Sequence, residues 1–231
     1  MKRLFFILLL APLGVFAAEG YRLDKSPHDP RDMASLQAGA RTYVNYCLGC
    51  HGLQFVRYQG LTDIGLSEAQ IKENLLFTAD KVGEPIKAVQ DAKEVKAWFG
   101  VAPPDLSVVS RSRGADWLYT YLRAFYRDPK TVTGWNNAVF PNVAMPHALW
   151  ALQGERGWDQ KEHQFTEISK GAQSATEYDR TVRDLVNFLV YVGEPAATSR
   201  KSIGIAVLFV LLGVLFPLTY WMKKEFWKDV K

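Results

Sequence analysis

The sequence predicts a mainly α-helical, loop-rich domain followed by one C-terminal transmembrane helix. Apolar residues recur at the three-to-four-residue spacing of a helix in four segments, whereas no segment shows a convincing strand-like alternation. Near the C-terminus, 20 consecutive residues, Ile203–Met222, carry no charged side chain. A run of that length crosses a bilayer as a helix. It lacks the polar face that a buried core helix, the alternative, would show.

Four helices are expected between the two ends of the chain, over Asp32–Tyr46, Ser67–Thr78, Asp116–Tyr126 and Thr176–Gly193. Ser67-Glu68-Ala69-Gln70 has the form of a capping box, Asp128-Pro129 stops the third helix, and Thr176 is expected to cap the fourth. The connections 79–115 and 127–175 are expected to be long loops. Such loops are unusual in a compact domain that has no ligand to pack against.

The N-terminus has the pattern of a cleaved secretory signal peptide. Lys2 and Arg3 precede a short apolar run that ends at Phe16 and is followed by small residues. Val15 and Ala17 suit the −3 and −1 positions of a cleavage site, so residues 1–17 are predicted to be removed. The apolar run is too short for a comfortable membrane span, and an uncleaved anchor is the alternative.

A five-residue motif, Cys47-Leu48-Gly49-Cys50-His51, follows the first predicted helix. Cys-x-x-Cys-His is the attachment signature of c-type haem, because two thiols on one helical turn can each add to a vinyl group of the same porphyrin. A thioredoxin-like motif would need a βαβ pattern, and zinc would need further ligands, yet these are the only two cysteines. We expect one covalently bound haem c, His51 as the proximal iron ligand, and no disulfide.

The second axial ligand of the iron is chosen by elimination. The candidates outside the leader and the apolar run are His28, His147, His163, Met33 and Met145. Met145 is favoured because Pro141 and Pro146 flank it and stiffen its loop, and a Met opposite a His raises the potential of a haem. His147 is the competing ligand. In a third interpretation, Met145 only fills the core, and the iron is five-coordinate or has two histidine ligands.

The distribution of charge assigns the orientation of the chain. The tail 223–231 contains four lysines, which outweigh Arg200 and Lys201 on the other flank of the apolar run. The positive-inside rule therefore places the tail in the cytoplasm, the span 203–222 in the membrane, and residues 18–202 on the outer side, which in a bacterial cell is the periplasm beyond the inner membrane. This orientation agrees with an N-terminal export signal.

The exported segment 18–202 is predicted to carry no net charge. The chain has 28 Lys and Arg and 24 Asp and Glu, and the leader and tail together contain six of the basic and two of the acidic residues. Nucleic acid binding would require a basic patch on the folded domain, so we expect no nucleic acid partner. The charged mixture at Asp80–Lys96 is expected to be a solvated surface segment, and a docking insert is the sharper alternative.

These features together resemble the bacterial type of the cytochrome c1 family, the haem-bearing subunit of the ubiquinol–cytochrome c reductase (bc1) complex. The resemblance covers essentially the whole mature chain. It is carried by the haem motif at 47–51, AlaProProAspLeuSer at 102–107, ArgSerArg at 111–113, TyrArgAspPro at 126–129, the Met145 loop and the terminal anchor. The stretches 79–99 and 152–175 match no pattern that we can assign.

The resemblance implies a role for six residues. Cys47 and Cys50 would form the thioethers, His51 and Met145 would be the axial ligands of the haem iron, Pro104 would pack at the haem, and Arg113 would pair with a haem propionate. For Arg113, a solvated surface position is the alternative. The aromatic residues Trp117, Tyr121 and Tyr126 are expected to pack in the helical core and not to conduct electrons.

The resemblance also implies a function in respiratory electron transport. The subunit would take single electrons from the Rieske iron–sulfur protein and pass them to a cytochrome c acceptor. The quinol site would lie in cytochrome b, so this chain would have no catalytic site of its own, and the complex would be homodimeric. The alternatives are a free-standing, tethered cytochrome c and a haem enzyme or gas sensor with an open iron position. The short connection 195–202 favours rigid assembly over a tether.

Overall fold

A computed structural model describes residues 21–229, apart from the side chain of Thr198. The mainly α-helical, loop-rich prediction is confirmed. The signal peptide predicted at 1–17 lies outside the described residues. The helices are α1 Met33–Tyr46, α2 Glu68–Asn74, α3 Ala92–Phe99, α4 Val109–Arg113, α5 Ala115–Arg123, α6 Trp150–Gln153, α7 Ala175–Gly193, α8 Ala197–Val210 and α9 Phe216–Phe226, with a 3₁₀ segment at Tyr58–Ile64.

The core of the domain is built on the packing of α1 against α7. Gly39 allows the two helices to approach closely, since a Cβ at this position would lie 2.0 Å from the backbone oxygen of Asp184 and 2.6 Å from the Cβ of Phe188. Leu36 and Tyr43 on α1, both 0% exposed, belong to the same hydrophobic cluster as Phe188. The haem motif begins at the residue after α1, so this packing fixes where the motif starts.

A buried polar network fastens the same two helices to the N-terminal segment. The Ser35 hydroxyl donates to Asp184 Oδ1 at 2.7 Å, and the Asn187 side-chain amide donates to Ser35 Oγ at 2.9 Å and to the Asp29 carbonyl at 2.8 Å. Arg183 pairs with the Asp184 carboxylate at 2.6 Å. Because buried polar groups are costly unless they are paired, this network defines one arrangement of α1 on α7.

Three helix boundaries differ from the prediction. The capping box at Ser67 is present, but α2 ends at Asn74 and not near Thr78. The cap of α7 is Ser174, whose hydroxyl accepts from the Glu177 N–H, so the prediction of Thr176 was wrong by two residues. The third predicted helix is α5, which ends at Arg123, because Phe125–Arg127 leaves it to pair as a strand.

The expectation of no strands was wrong. Among residues 21–229, three two-stranded antiparallel sheets pair β1 Leu53–Arg57 with β2 Pro85–Ile86, β3 Phe125–Arg127 with β4 Trp135–Asn137, and β5 Gly154–Asp159 with β6 Gln164–Lys170. The last pair is a hairpin inside the stretch 152–175, to which the sequence assigned no pattern. Each sheet has at least one strand in the predicted loops 79–115 and 127–175, where α3, α4 and α6 also lie, so these connections contain regular structure.

The predicted C-terminal apolar helix is present. Within the described residues, Ser199–Phe226 is the one helix long and apolar enough to cross a membrane, and none of its most apolar stretch is buried against the rest of the chain. Between α8 and α9 the helix widens into a π-helical turn at Leu211–Leu215. Pro217 lies directly beyond this turn. Its ring would clash with the carbonyl four residues earlier in a regular α-helix, and a wider turn relieves such a clash.

Candidate haem site

The haem motif forms compact turns at the end of α1. The Cys47 N–H donates to the Tyr43 carbonyl at 2.8 Å, and the Cys50 and His51 N–H groups donate to the Cys47 carbonyl at 3.1 and 2.9 Å. Both cysteines are free thiols. Burial, and to a lesser degree the neighbouring Cys50, raises the pKa of Cys47 to about 12, so this thiol is neutral at pH 7. The motif therefore presents two thiols and an imidazole from a single bend of the chain.

The imidazole of His51 is oriented by a hydrogen bond to the Pro104 carbonyl. The Nδ1···O distance is 2.7 Å, and because a carbonyl only accepts, Nδ1 carries the proton. The Nε2 lone pair is thus free to bind a metal. Burial lowers the pKa of His51, while the hydrogen bond to Pro104 acts in the opposite direction. The neutral imidazole with its other nitrogen hydrogen-bonded is the form in which histidine ligates metals.

The segment that carries Pro104 is braced by Asp105. Its carboxylate accepts from the Gln54 N–H at 2.8 Å and from the Ser107 N–H at 2.9 Å. The Leu106 N–H donates to the Gly52 carbonyl at 2.9 Å. Hydrogen bonds therefore connect the segment AlaProProAspLeuSer at 102–107 to the residues that follow His51. Pro104 itself is exposed. In this structure the contribution of Pro104 to the site is its carbonyl oxygen.

The Met145 loop is held against the same hydrophobic cluster that Cys47 contacts. The Tyr121 hydroxyl donates to the Met145 sulfur at 3.3 Å. Upstream, the side-chain oxygen of Asn136 accepts from the Asn142 N–H at 2.8 Å, and that of Asn137 accepts from the Val139 N–H at 2.9 Å. The buried side-chain amides of β4 thus fix the loop, and its half-buried thioether accepts a hydrogen bond from the Tyr121 hydroxyl.

The other candidate ligands have different surroundings. His147 is 2% exposed, stacks on Phe125 with ring centroids 4.9 Å apart, and hydrogen-bonds through Nε2 to Gln153 at 2.7 Å. Burial lowers the pKa of His147 to about 3, so it is a neutral core residue at pH 7. Met33 is 47% exposed at the start of α1. His163 lies at the exposed tip of the β5–β6 hairpin, and His28 contacts Ser26.

Arg113 is exposed at the end of α4 and lies over two aromatic rings. Its guanidinium carbon is 5.1 Å from the Trp117 ring centroid and 5.6 Å from that of Phe140. Such cation–π contacts hold the guanidinium in place while its N–H groups remain available to an anion. Trp117 also stacks on Tyr121 at 4.6 Å. Arg113 is thereby connected to Met145 through two stacked rings.

The donor set fits a c-type haem. Two adjacent free thiols, an imidazole with an unused Nε2 and a thioether packed on the same cluster are the groups that such a cofactor requires. Tyr121 and Asp105 were not recognised in the sequence as parts of this site. The available signal for Tyr121 was weak: a tyrosine on the buried face of α5 needs a hydrogen-bond partner, but the sequence does not say which one.

Comparison with known proteins identifies the family. The model of the family described as "Cytochrome C1 family" matches residues 24–230, nearly the whole chain. The chain belongs to the cytochrome c1 family. Membership implies a haem cofactor, a function in electron transport and a place in the ubiquinol–cytochrome c reductase complex.

Individual relatives extend over the full length of the chain. A protein named "Cytochrome c1" from Allochromatium vinosum is 47% identical over 236 residues, which cover 96% of each chain. A protein named "Ammonia monooxygenase gamma subunit" from Nitrosomonas europaea is 48% identical over 234 residues, 100% of each chain. A solved structure named "Hyperthermophilic respiratory Complex III" aligns over 100% of this chain and 94% of its own, with a TM-score of 0.49 and 16% identity.

Proposed function

We propose that this chain is the membrane-anchored haem subunit of a bc1 complex, which takes single electrons from the Rieske iron–sulfur protein and passes them to a cytochrome c acceptor. The observation that carries the proposal is the arrangement at the end of α1. Two free thiols there precede an imidazole whose proton is fixed on Nδ1, within a chain of the cytochrome c1 family. The acceptor would be a soluble or a membrane-bound cytochrome c.

The residues that would hold the haem are assigned from their positions. Cys47 and Cys50 would form the two thioethers, and His51 Nε2 and Met145 Sδ would be the axial ligands of the iron. When bound, the haem supplies a one-electron Fe(III)/Fe(II) couple. The chain contributes neutral ligands and the groups that orient them. The Pro104 carbonyl holds the imidazole, Tyr121 holds the thioether, and Arg113 would pair with a propionate.

Met145 is preferred to His147 as the second ligand because of what each side chain already does. The His147 ring stacks on Phe125, meets Trp135 edge-on and is hydrogen-bonded to Gln153, so it would have to leave a packed site to reach an iron. The Met145 sulfur accepts one weak hydrogen bond, from Tyr121, and it could bind an iron whether or not that hydrogen bond is kept. Binding of the iron by the Met145 thioether would therefore break fewer contacts of the fold than binding by His147.

The anchor would keep the haem domain beside its partners. Only three residues, 194–196, separate the end of α7 at Gly193 from the start of α8 at Ala197, and Glu194 in this short connection pairs with Arg111 and Arg200. Such a connection favours a fixed position next to cytochrome b over a mobile tether. We place the haem domain in the periplasm, the C-terminus in the cytoplasm, and two copies of the subunit in a homodimeric complex.

A second assembly is suggested by one relative. The Nitrosomonas europaea protein, named as a monooxygenase subunit, is as similar to this chain as the Allochromatium vinosum cytochrome c1. The same haem ligands would serve electron transfer in either complex. We favour the bc1 complex because the family model describes cytochrome c1 over residues 24–230. The partner chains therefore decide between the two assemblies.

The test is to purify the protein with its partners. The full chain, tagged at its C-terminus, is extracted from membranes in mild detergent, the co-purifying chains are identified by mass spectrometry, and quinol:cytochrome c reductase activity is measured. A strain with the untagged chain is the control. Activity together with cytochrome b and a Rieske protein supports the proposal. Monooxygenase chains, or a lone red protein that is inactive with quinol, would overturn it.

A further inference from the structure

The Tyr121 hydroxyl lies at a position from which it can influence the axial thioether. Its oxygen is 3.3 Å from Met145 Sδ, within the distance for a hydrogen bond to sulfur. Tyr121 is 8% exposed and contributes to the same core as the residues around the haem motif. The sequence alone assigned it to helix packing, and that assignment accounts for the ring but not for the phenolic oxygen.

The position of this donor is fixed from three sides. The ring stacks on Trp117 at 4.6 Å with an interplanar angle of 11°, and meets Phe125 edge-on at 5.1 Å. The backbone carbonyl of Tyr121 accepts from the Asn137 side-chain amide at 2.8 Å, and Asn137 is fully buried in β4. The same strand holds the Met145 loop. The donor Tyr121 and the acceptor Met145 are thus both attached to β4. This shared attachment keeps their distance constant, so the small electronic effect of the hydrogen bond is constant as well.

We propose that Tyr121 positions Met145 and, through its hydrogen bond to Sδ, raises the reduction potential of the haem. A hydrogen bond to the thioether withdraws electron density from sulfur and makes it a weaker donor to iron. Fe(III) needs that donation more than Fe(II), so the hydrogen bond favours the reduced state. Second-sphere groups tune metal sites in this manner. The proposal rests on the assignment of Met145 as axial ligand in the proposed function.

The phenol is available as a donor throughout the physiological range. Burial raises the pKa of Tyr121, with the positive charge of Arg113 acting weakly in the opposite direction. The hydroxyl therefore stays protonated, and its effect on the thioether is expected to be independent of pH near neutrality. This distinguishes Tyr121 from a proton-coupled group, whose influence on the potential would change with pH.

The test is the Tyr121→Phe variant of the full-length, detergent-solubilised protein, compared with Tyr58→Phe. Tyr58 is 0% exposed, and its hydroxyl bonds to Thr78 at 2.8 Å, so the control loses a part-buried tyrosine hydrogen bond whose partner is Thr78 and not Met145. We expect Tyr121→Phe to shift the equilibrium about fivefold toward the oxidised state, which is the scale of one hydrogen bond. At 59 mV per tenfold, that is about 40 mV lower in potential. Tyr58→Phe should leave the potential unchanged.

The sulfur-to-Fe(III) charge-transfer band separates the two assignments. If the unmodified protein shows the band and Tyr121→Phe keeps it at a lowered potential, the proposal is supported. An unchanged potential with the band present in both proteins overturns the role of Tyr121 and leaves Met145 as the ligand. If the unmodified protein lacks the band, Met145 is not the ligand, and both assignments fall.

A second measurement does not depend on the variant folding. Incorporation of fluorotyrosine into the otherwise unmodified chain makes each phenol a stronger donor. We expect the potential to rise relative to the unlabelled protein, and to rise equally in labelled Tyr58→Phe. A potential that does not move on labelling overturns the proposal, because the donor strength of Tyr121 would then not reach the iron.

Discussion

At the scale of single residues, the side chains around Met145 determine what happens when its thioether is removed. Met145→Ala should keep the covalently attached haem, because Cys47, Cys50 and His51 are untouched, and should lower its potential. His147 cannot replace the lost ligand without leaving its contacts with Phe125 and Gln153. We therefore expect a five-coordinate reduced iron that binds carbon monoxide. Redox titration and visible spectroscopy under carbon monoxide measure both effects.

The matched control for this change is Met33→Ala. Met33 is 47% exposed at the start of α1, and its loss should leave both the potential and the carbon monoxide response as they are. If Met145→Ala retained the parent potential, the ligand assignment would be wrong. If it did not bind carbon monoxide, a second histidine would have replaced the thioether, and the core position of His147 would not be as stable as its contacts suggest.

Individual site residues differ in how far the sequence predicts them. Cys47, Cys50 and His51 are predicted directly from the sequence, because the chemistry expected of them depends on spacing within one turn. Met145 is reached only by elimination, since nothing in its loop shows which side chain it meets. Tyr121 and the Pro104 carbonyl could not be assigned from the sequence. Tyr121 contacts a residue 24 positions away, and the Pro104 carbonyl contacts one 53 positions away. Contacts over such distances are set by the fold and leave no local pattern.

At the scale of helices, the crossing of α1 and α7 predicts the effect of a single methyl group. Gly39→Ala places a Cβ 2.0 Å from a backbone oxygen of α7, so the helices must separate. Overpacking of this kind costs about 1–3 kcal/mol or more, which outweighs the gain of about 1 kcal/mol in helix propensity. We expect a lower free energy of unfolding in denaturant titration.

The control is Gly83→Ala, where the added Cβ meets no atom within 4 Å. Its free energy of unfolding should change by no more than about 0.5 kcal/mol, as for most surface substitutions. Equal stability of Gly39→Ala and the parent protein would mean that α1 and α7 can slide apart at no cost, which contradicts a core held by the Ser35–Asp184–Asn187 network.

The segment around Asp105 makes an equivalent prediction for the proximal side of the haem. Asp105→Ala removes the acceptor for the Gln54 and Ser107 N–H groups, at a cost of about 1–3 kcal/mol. It also loosens the Pro104 carbonyl, so the orientation of His51 should become less uniform. We expect reduced stability together with a changed potential. The measurements are denaturant unfolding and redox titration of the same preparation.

Asp91→Ala is the comparison for that variant. Asp91 caps α3 by accepting from the Lys93 N–H at 2.7 Å, in a helix whose side chains are mostly exposed. It should weaken α3 and leave the potential alone. If both variants left the potential unchanged, Asp105 would be only a structural brace, and the Pro104–His51 hydrogen bond would not depend on it.

The elements that the sequence missed share a physical cause. The long helices were found because a buried stripe imposes a clear period. By contrast, β6 is exposed over most of its length and β5 is mostly half-buried, so neither strand shows such a period. Their hairpin is held by a Trp158–Phe165 pair at 4.6 Å and by an Asp159 carboxylate that accepts from two N–H groups in the turn. Glycines at 154 and 157, where a Cβ would clash with β6, were the available signal.

At the scale of the whole molecule, one hydrophobic cluster forms the core of the fold and also contacts two of the residues proposed to hold the haem. Cys47 and Met145 pack against the same hydrophobic cluster, although they are far apart in the sequence. The connections between the helices are therefore expected to depend on the haem for part of their stability. Such a dependence would account for the long loops that the sequence predicts. It would also account for the short helices and strands in these loops, which form no repeating pattern.

The division of the chain into a haem domain and an anchor predicts the effect of truncation. A stop codon after Arg200 removes the apolar part of Ser199–Phe226, the one helix among residues 21–229 that is apolar enough to span a membrane. It retains the whole α1–α7 core and the Glu194–Arg200 ion pair. We expect the truncated chain in the soluble periplasmic fraction, with the visible spectrum of the full-length protein and the mass of a chain that begins at Ala18.

Full-length protein from the same strain, which should stay in the membrane pellet, is the control. Retention of the truncated chain in that pellet with an intact Met1 would show that the N-terminal run is an uncleaved anchor. The full-length chain would then be held at both ends, because the predicted cleavage after Ala17 had not taken place.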